Sequence, residues 1–189
     1  GPRSGVIMLS AQPDGTVLVG TDIAGVRENY DLLTRLHADG SRDMTFTPGG
    51  GILEPTTAPV VLQPDGKVLF AGVYDRGDGG VVRGVCRLLA DGSLDPGFNP
   101  APVSDGYVFA VAVQPDGKVL VGGGAGMFNG MDHHGIARLH ANGSLDTTFH
   151  PGANDYYSVR SILVQPDGKV LIGGNIGPQY AENPRPNFL

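Results

Sequence analysis

Short apolar runs alternate with polar turns along the whole chain. Val108–Val113 reads Val-Phe-Ala-Val-Ala-Val, rich in β-branched residues. Gln114-Pro115-Asp116-Gly117 follows, then Lys118-Val119-Leu120-Val121 and three glycines. Two short apolar runs around a Pro-Asp-Gly turn predict a β-hairpin. Proline presets φ at the first turn position, and aspartate tolerates the second. Glycine takes the left-handed conformation that closes a bulged turn. A second pattern comes next. Ile136-Ala137-Arg138-Leu139-His140 leads into Asn142-Gly143-Ser144, then Leu145-Asp146-Thr147-Thr148-Phe149. Asp-Gly or Asn-Gly between two extended runs predicts a second hairpin. No stretch sustains helical periodicity.

Both hairpins recur. Gln-Pro-Asp-Gly begins at Gln12, Gln63, Gln114 and Gln165, each 51 residues after the last. The second pattern recurs as Arg35-Leu36 with Asp39-Gly40-Ser41 and Phe46, and as Arg87-Leu88 with Asp91-Gly92-Ser93 and Phe98. A fixed period of this order marks a fold built by stacking one supersecondary unit. Two hairpins per unit make four short strands. The first two are apolar on nearly every residue, as in Val60-Val61-Leu62 or Ile162-Leu163-Val164. Such strands are buried on both faces, as when blades stack on their neighbours. The expected fold is all-β: a β-propeller of four-stranded antiparallel blades with a 51-residue repeat, about 3.5 blades being present. A two-sheet sandwich would alternate more cleanly and lack the period.

The expected units are about residues 5–55, 56–107, 108–158 and an incomplete 159–189, with residues 1–4 a cleavage scar suggested by Gly1-Pro2. Spacing within the frame varies by one residue: Gln12 to Arg35 is 23, while Gln63 to Arg87 and Gln114 to Arg138 are 24. Such changes fall in loops, where insertions are tolerated. Leu189 stands where the repeated arginine is due, so the chain reads as part of a longer array or as half of a ring closed by a second chain. A ring of six or seven blades needs roughly 300–360 residues at this period.

The pattern Val-x-Val-Gln-Pro-Asp-Gly-Lys-Val-Leu-Val-Gly-Gly, followed by Arg-Leu-x-Ala-Asn-Gly-Ser-Leu-Asp-x-x-Phe, resembles the bacterial delta-sixty repeat. The resemblance runs from about Val6 to Leu189. The first copy departs most, with Thr16 for lysine and Arg42 for leucine. The resemblance implies a β-propeller in a large secreted or surface protein of bacteria. It implies no reaction, and it offers no catalytic residue.

Composition removes some classes. The net charge of −6 lacks the basic footprint of a nucleic-acid binder. No apolar run approaches a membrane helix, so no membrane insertion is expected. Cys86 is the single cysteine, and its counterparts Thr34 and Ala137 are small, which predicts a buried packing position. No cofactor is expected.

Residues present in every copy read as scaffold. These are Gln12, Gly15, Gln63, Gly66, Gln114, Gly117, Gln165 and Gly168 at the first turn, and Arg35, Arg87 and Arg138, expected to pair with a carboxylate or carbonyl between strands. The Asp-Gly-Ser turns invite calcium, but two oxygen side chains per turn are too few, and Asx-type turn bonds suffice. Asn142-Gly-Ser fits a glycosylation pattern yet occupies a turn position.

Function is then sought in what differs between copies. Arg76-Gly77-Asp78 resembles an integrin-recognition tripeptide, and Asp132-His133-His134 groups three metal-ligating types in the equivalent loop of the third copy. Adjacent residues on an extended chain point opposite ways, which disfavours chelation by that triplet; His140 and His150 lie elsewhere in the unit. Tyr30, Tyr74, Tyr107, Phe128, Tyr156, Tyr157 and Tyr180 also vary. Aromatics on loops suit a carbohydrate or protein contact, although tryptophan is absent. The expectation is a non-enzymatic scaffold or binding platform for a protein or glycan, at the bacterial surface or outside the cell. The alternatives are a polysaccharide-active propeller enzyme with acidic or basic residues on its axis, or a structural repeat of a fibre or surface layer.

Overall fold

The structure, a computed structural model, describes residues 4–12, 14–23, 33–48, 52–55, 60–75, 80–100, 103–104, 107–124, 127–128, 131–132, 135–150 and 156–176. These residues form antiparallel strands and turns, and none is helical. The first unit holds β1 (Ser4–Ala11), β2 (Val17–Ile23) and β3 (Leu33–Leu36). The second holds β4 (Ile52–Pro55), β5 (Val61–Leu62), β6 (Val68–Asp75) and β7 (Val81–Leu88). The third holds β8 (Val103–Ser104), β9 (Val108–Val113), β10 (Val119–Gly123), β11 (Met127–Phe128), β12 (Met131–Asp132) and β13 (Ile136–Leu139). The fourth holds β14 (Tyr156–Val164) and β15 (Val170–Ile176).

In each of the first three units the second strand of the repeat is the centre of a ladder. β2 lies between β1 and β3, and β10 lies between β9 and β13. β6 pairs with β7 on one edge and with β4 and β5 on the other. The return arm of the second hairpin is reduced to one bridge per unit: Leu36 to Arg42, Leu88 to Leu94 and Leu139 to Leu145. The reason is local. The next residue is Asp43, Asp95 or Asp146, whose carboxylate accepts the amide two residues on and turns the chain away from the ladder. Pairing also sets the phase of the repeat. β4 pairs with β6, so Ile52–Pro55 joins the sheet of the second unit. Tyr156 and Ser158 likewise pair into the fourth unit, ahead of 159. A period fixes spacing, whereas only strand pairing fixes where a unit starts. Ser4, expected within the scar, already pairs with Ile23.

The sheets stack as blades. Alternate residues of β6 enter two different cores: Val68, Phe70 and Tyr74 pack with Met8, Leu18 and Leu33 of the first unit, while Leu69 and Ala71 pack with Val111, Val119 and Val121 of the third. This period-two division explains the near-continuous apolar run. Ile136, Val159 and Ile172 form the third interface, between the third and fourth units. Cys86 is buried in the first interface, and burial pushes its thiol pKa up. The chain is an all-β, partial propeller of blade-like antiparallel sheets.

The two outward faces remain apolar. Leu9 is 67% exposed, whereas Val60 and Val111 at the same repeat position are 3% and 4% exposed under the preceding unit. Leu171 is 40% exposed, whereas Leu18, Leu69 and Leu120 are fully covered by the following unit.

Candidate functional site

Each unit has a repeated end and a varying end. At the repeated end the two turns of a unit touch: a Cβ built on Gly15, Gly66 or Gly117 would lie 3.6, 3.6 or 3.7 Å from the Cβ of Ala38, Ala90 or Ala141. In the first turn the glutamine carbonyl accepts the glycine amide, at 2.9–3.0 Å in all four copies. Gly15, Gly66, Gly117 and Gly168 sit at φ of 80–86°, which favours glycine there. In the second turn Asp39, Asp91 and Asn142 each accept the amide and hydroxyl of the serine two residues on. The oxygens that invited calcium are therefore engaged by their own turns. Asn142 plays the part of aspartate.

The repeated arginine joins neighbouring units. Arg35 Nε donates to Asp43 Oδ2 (2.7 Å), its plane covers the Phe46 ring at 4.7 Å, and NH1 donates to the Ala90 carbonyl of the next unit (2.9 Å). Arg87 repeats this with Asp95, Phe98 and the Ala141 carbonyl, at 2.8, 4.7 and 2.8 Å. Arg138 holds Asp146 at 2.9 Å and covers Phe149 at 4.6 Å. Alongside run main-chain bonds from Thr47 N to the Asp91 carbonyl (2.8 Å) and from Asn99 N to the Asn142 carbonyl (2.9 Å). Lys67 and Lys118 from the first turn add ion pairs to Asp95 and Asp146.

These aspartates titrate low. The Thr45 hydroxyl and amide, with Arg35, hold Asp43 well below the usual carboxylate range. The Thr148 hydroxyl leads the same effect at Asp146, against the opposing push of burial. At Asp95 burial pushes upward, and the Gly97 amide, Lys67 and Arg87 together outweigh it. A carboxyl depressed in the folded state binds fewer protons than in the unfolded chain. Its contribution is therefore complete above the unfolded value of about 4 and is lost as pH falls below that towards the folded value. Thermal melts should hold steady from pH 7 to about 5 and fall steeply below about 4, and Asp95→Asn should flatten that fall. A melting temperature unchanged down to pH 2.5 would contradict this account.

The varying end lies opposite. There β1 starts against the end of β2 (Ser4 with Ile23), β6 ends against the start of β7 (Asp75 with Val81), and β14 starts against the end of β15 (Tyr156 with Ile176). Arg76, Gly77 and Asp78 fall between β6 and β7, and His133 and His134 fall between β12 and β13; these five lie outside the described residues. Asp132 pairs with Met127 in the small β8–β11–β12 sheet. Tyr74 is buried in a core, while Tyr107 is 60% exposed. Among the described residues no group of three or more His, Cys, Asp or Glu could hold a metal. No helix there is long and apolar enough to cross a membrane.

At this end four side chains from three units form a row. Arg83 of β7 lies over the Tyr107 ring at 5.1 Å. Tyr107 stacks on Phe109 of β9, with centroids 6.4 Å apart and planes 22° apart. Arg160 of β14 lies over the other aromatic, Phe109, at 4.9 Å. Both arginines are exposed. The sequence reading passed over this row. Its signal is the residue five before each repeated glutamine: Ile7, Ala58, Phe109 and Arg160 occupy one position, and a charge there breaks an apolar pattern.

No curated protein matches the sequence. Among solved structures, the extracellular domain of a one-component system from B. thetaiotaomicron is similar, with TM-score 0.55 and 10% identity over 91% of this chain and 20% of that one. A protein described as a gluconolactonase gives TM-score 0.51 and 18% identity over 89% of this chain and 55% of its own. A glucose dehydrogenase gives 0.51 and 15% over 94% and 61%. The chain thus spans less than two thirds of each of these, and at such identities the likeness is one of fold. Four in-phase segments, 12–46, 63–98, 114–149 and 165–189, match the family described as "Domain of unknown function (DUF5122) beta-propeller", and the chain belongs to that family.

Proposed function

We propose that this chain is a non-enzymatic binding platform for a protein or glycan, working outside the cell or at a bacterial surface. One observation carries this reading: repeated and varying residues are sorted to opposite ends of the blades. The Gln-Pro-Asp-Gly and Asp-Gly-Ser turns, with their arginines and aspartates, occupy the end where units are bonded together. The residues described at the other end differ from unit to unit, with exposed Tyr107 among them. A rigid stack presenting a varied edge suits recognition. The delta-sixty resemblance supports the location.

A glycan and host-protein array, probed with the chain and its variants, tests this. Selective binding should be lost in Arg76→Ala, Asp78→Ala or the Asp132→Ala, His133→Ala, His134→Ala triple variant, and kept in the turn variant Asp65→Asn. Equal loss in the turn variant would count against the reading. Turnover of any arrayed polysaccharide would replace it with the enzyme alternative.

A further inference from the structure

We infer that the row Arg83–Tyr107–Phe109–Arg160 is a binding ledge for a carboxylated polysaccharide, a polyuronate. The inference rests on the platform reading and names the ligand class for its varying end.

Among the described residues neither arginine has its N–H edge engaged. Each guanidinium lays a flat face on a ring, Arg83 on Tyr107 and Arg160 on Phe109. That contact orients the group while leaving its N–H edge open, and the edge is the part that grips a carboxylate with two parallel hydrogen bonds. Neither arginine has a carboxylate partner among the described residues. The repeated arginines make the contrast: Arg35, Arg87 and Arg138 each hold an aspartate within 2.9 Å. Two guanidiniums without a carboxylate partner among the described residues stand out on a chain of net charge −6, so the row is no part of a general basic surface.

The aromatics point the same way. Tyr107 remains 60% exposed although cores lie on both faces of its sheet, and it belongs to no repeated pattern. Repetition would mark the row as cement between units; its absence marks a site. Cations at the two ends, held on different units with two rings between them, fit an extended ligand bearing charges at intervals and flat rings between. A chain of uronic acid residues has that form. Its carboxylates meet the guanidinium edges, and its sugar C–H faces meet Tyr107 and Phe109.

Affinity electrophoresis of the chain in gels containing polygalacturonate tests this, with neutral dextran and polyglutamate as comparison gels. Retardation is expected in polygalacturonate alone, weakening as salt rises. Arg83→Gln and Arg160→Gln should each lower affinity about tenfold or more, the scale of one charge-assisted contact, with an unchanged melting temperature. Arg160→Lys keeps the charge without the fork and should bind more weakly than the unaltered chain. Lys169→Gln, at the repeated end, should change nothing. No retardation in polygalacturonate, equal retardation in polyglutamate, or equal loss in Lys169→Gln each overturns the inference, and so does a fall in melting temperature with binding intact. If arrayed ligands are lost in the loop variants but kept in Arg83→Gln and Arg160→Gln, the ledge fails and the platform stands.

Discussion

Gly92→Ala and Gly143→Ala should be severely destabilising, while Gly40→Ala at the same repeat position should be mild. All three glycines have left-handed φ, at 89, 89 and 83°, so the conformational penalty of ~1–2 kcal/mol is shared. What differs is the neighbour. A Cβ on Gly92 would lie 2.8 Å from Pro48 N and 2.9 Å from the Thr47 carbonyl carbon. On Gly143 it would lie 2.9 Å from Pro100 N and 3.0 Å from Asn99 N. These atoms are main chain of the preceding unit and cannot turn aside. On Gly40 it would meet nothing within 4 Å. The clash also strains the bonds beside it, from Thr47 N to the Asp91 carbonyl and from Asn99 N to the Asn142 carbonyl. A total of roughly 3 kcal/mol or more is expected for Gly92 and Gly143, against about 1 for Gly40. Chemical denaturation of the three variants measures it. Equal losses at all three would show that only the φ angle matters and that the contact between units is soft.

Arg87→Ala should cost roughly 3 kcal/mol, because it removes three partners at once and leaves Asp95 short of its cation. Arg87 and Asp95 are both largely buried, at 9% and 8% exposure, so water compensates little. Arg87→Lys should rescue only a small part. A lysine ammonium can neutralise Asp95, but it has no planar face for Phe98 and no second arm for the Ala141 carbonyl. Arg138→Ala should cost less by about one hydrogen bond, since Arg138 holds Asp146 and Phe149 but no carbonyl of a further unit among the described residues. A lysine variant as stable as the unaltered chain would sink the account of a three-way joint.

The hairpin turns were legible because their chemistry is local. Pro-Asp-Gly and Asp-Gly-Ser carry their own angles and their own Asx bonds, and the repeat showed the first four times and the second three. The two-sided burial of β6 was legible for the same reason, as an apolar run with no polar alternation. The joints between units were half legible. The arginine was visibly repeated, but its second acceptor lies 54 or 55 residues away, and nothing local names Ala90 or Ala141. The fourth arm read as a strand because Leu-Asp-x-x-Phe follows a hairpin turn; Asp95 instead spends its carboxylate on Gly97 and Arg87 and bends the chain. The Arg83–Arg160 row was hidden because its members come from three units and become neighbours only when blades stack.

The arginine joint has a direction. The first and second units each give a guanidinium N–H and a threonine or asparagine amide forward, and the second and third receive them on the carbonyls of their second turns. Donors sit on one face and acceptors on the other. Two such units meeting donor face to donor face would leave both sets of donors without acceptors, so the joint favours contact of a donor face with an acceptor face. Head-to-tail addition, as around a ring, continues that pairing. The direction of stacking is thus written into one arginine and one turn carbonyl, before any question of how many units a complete circle contains.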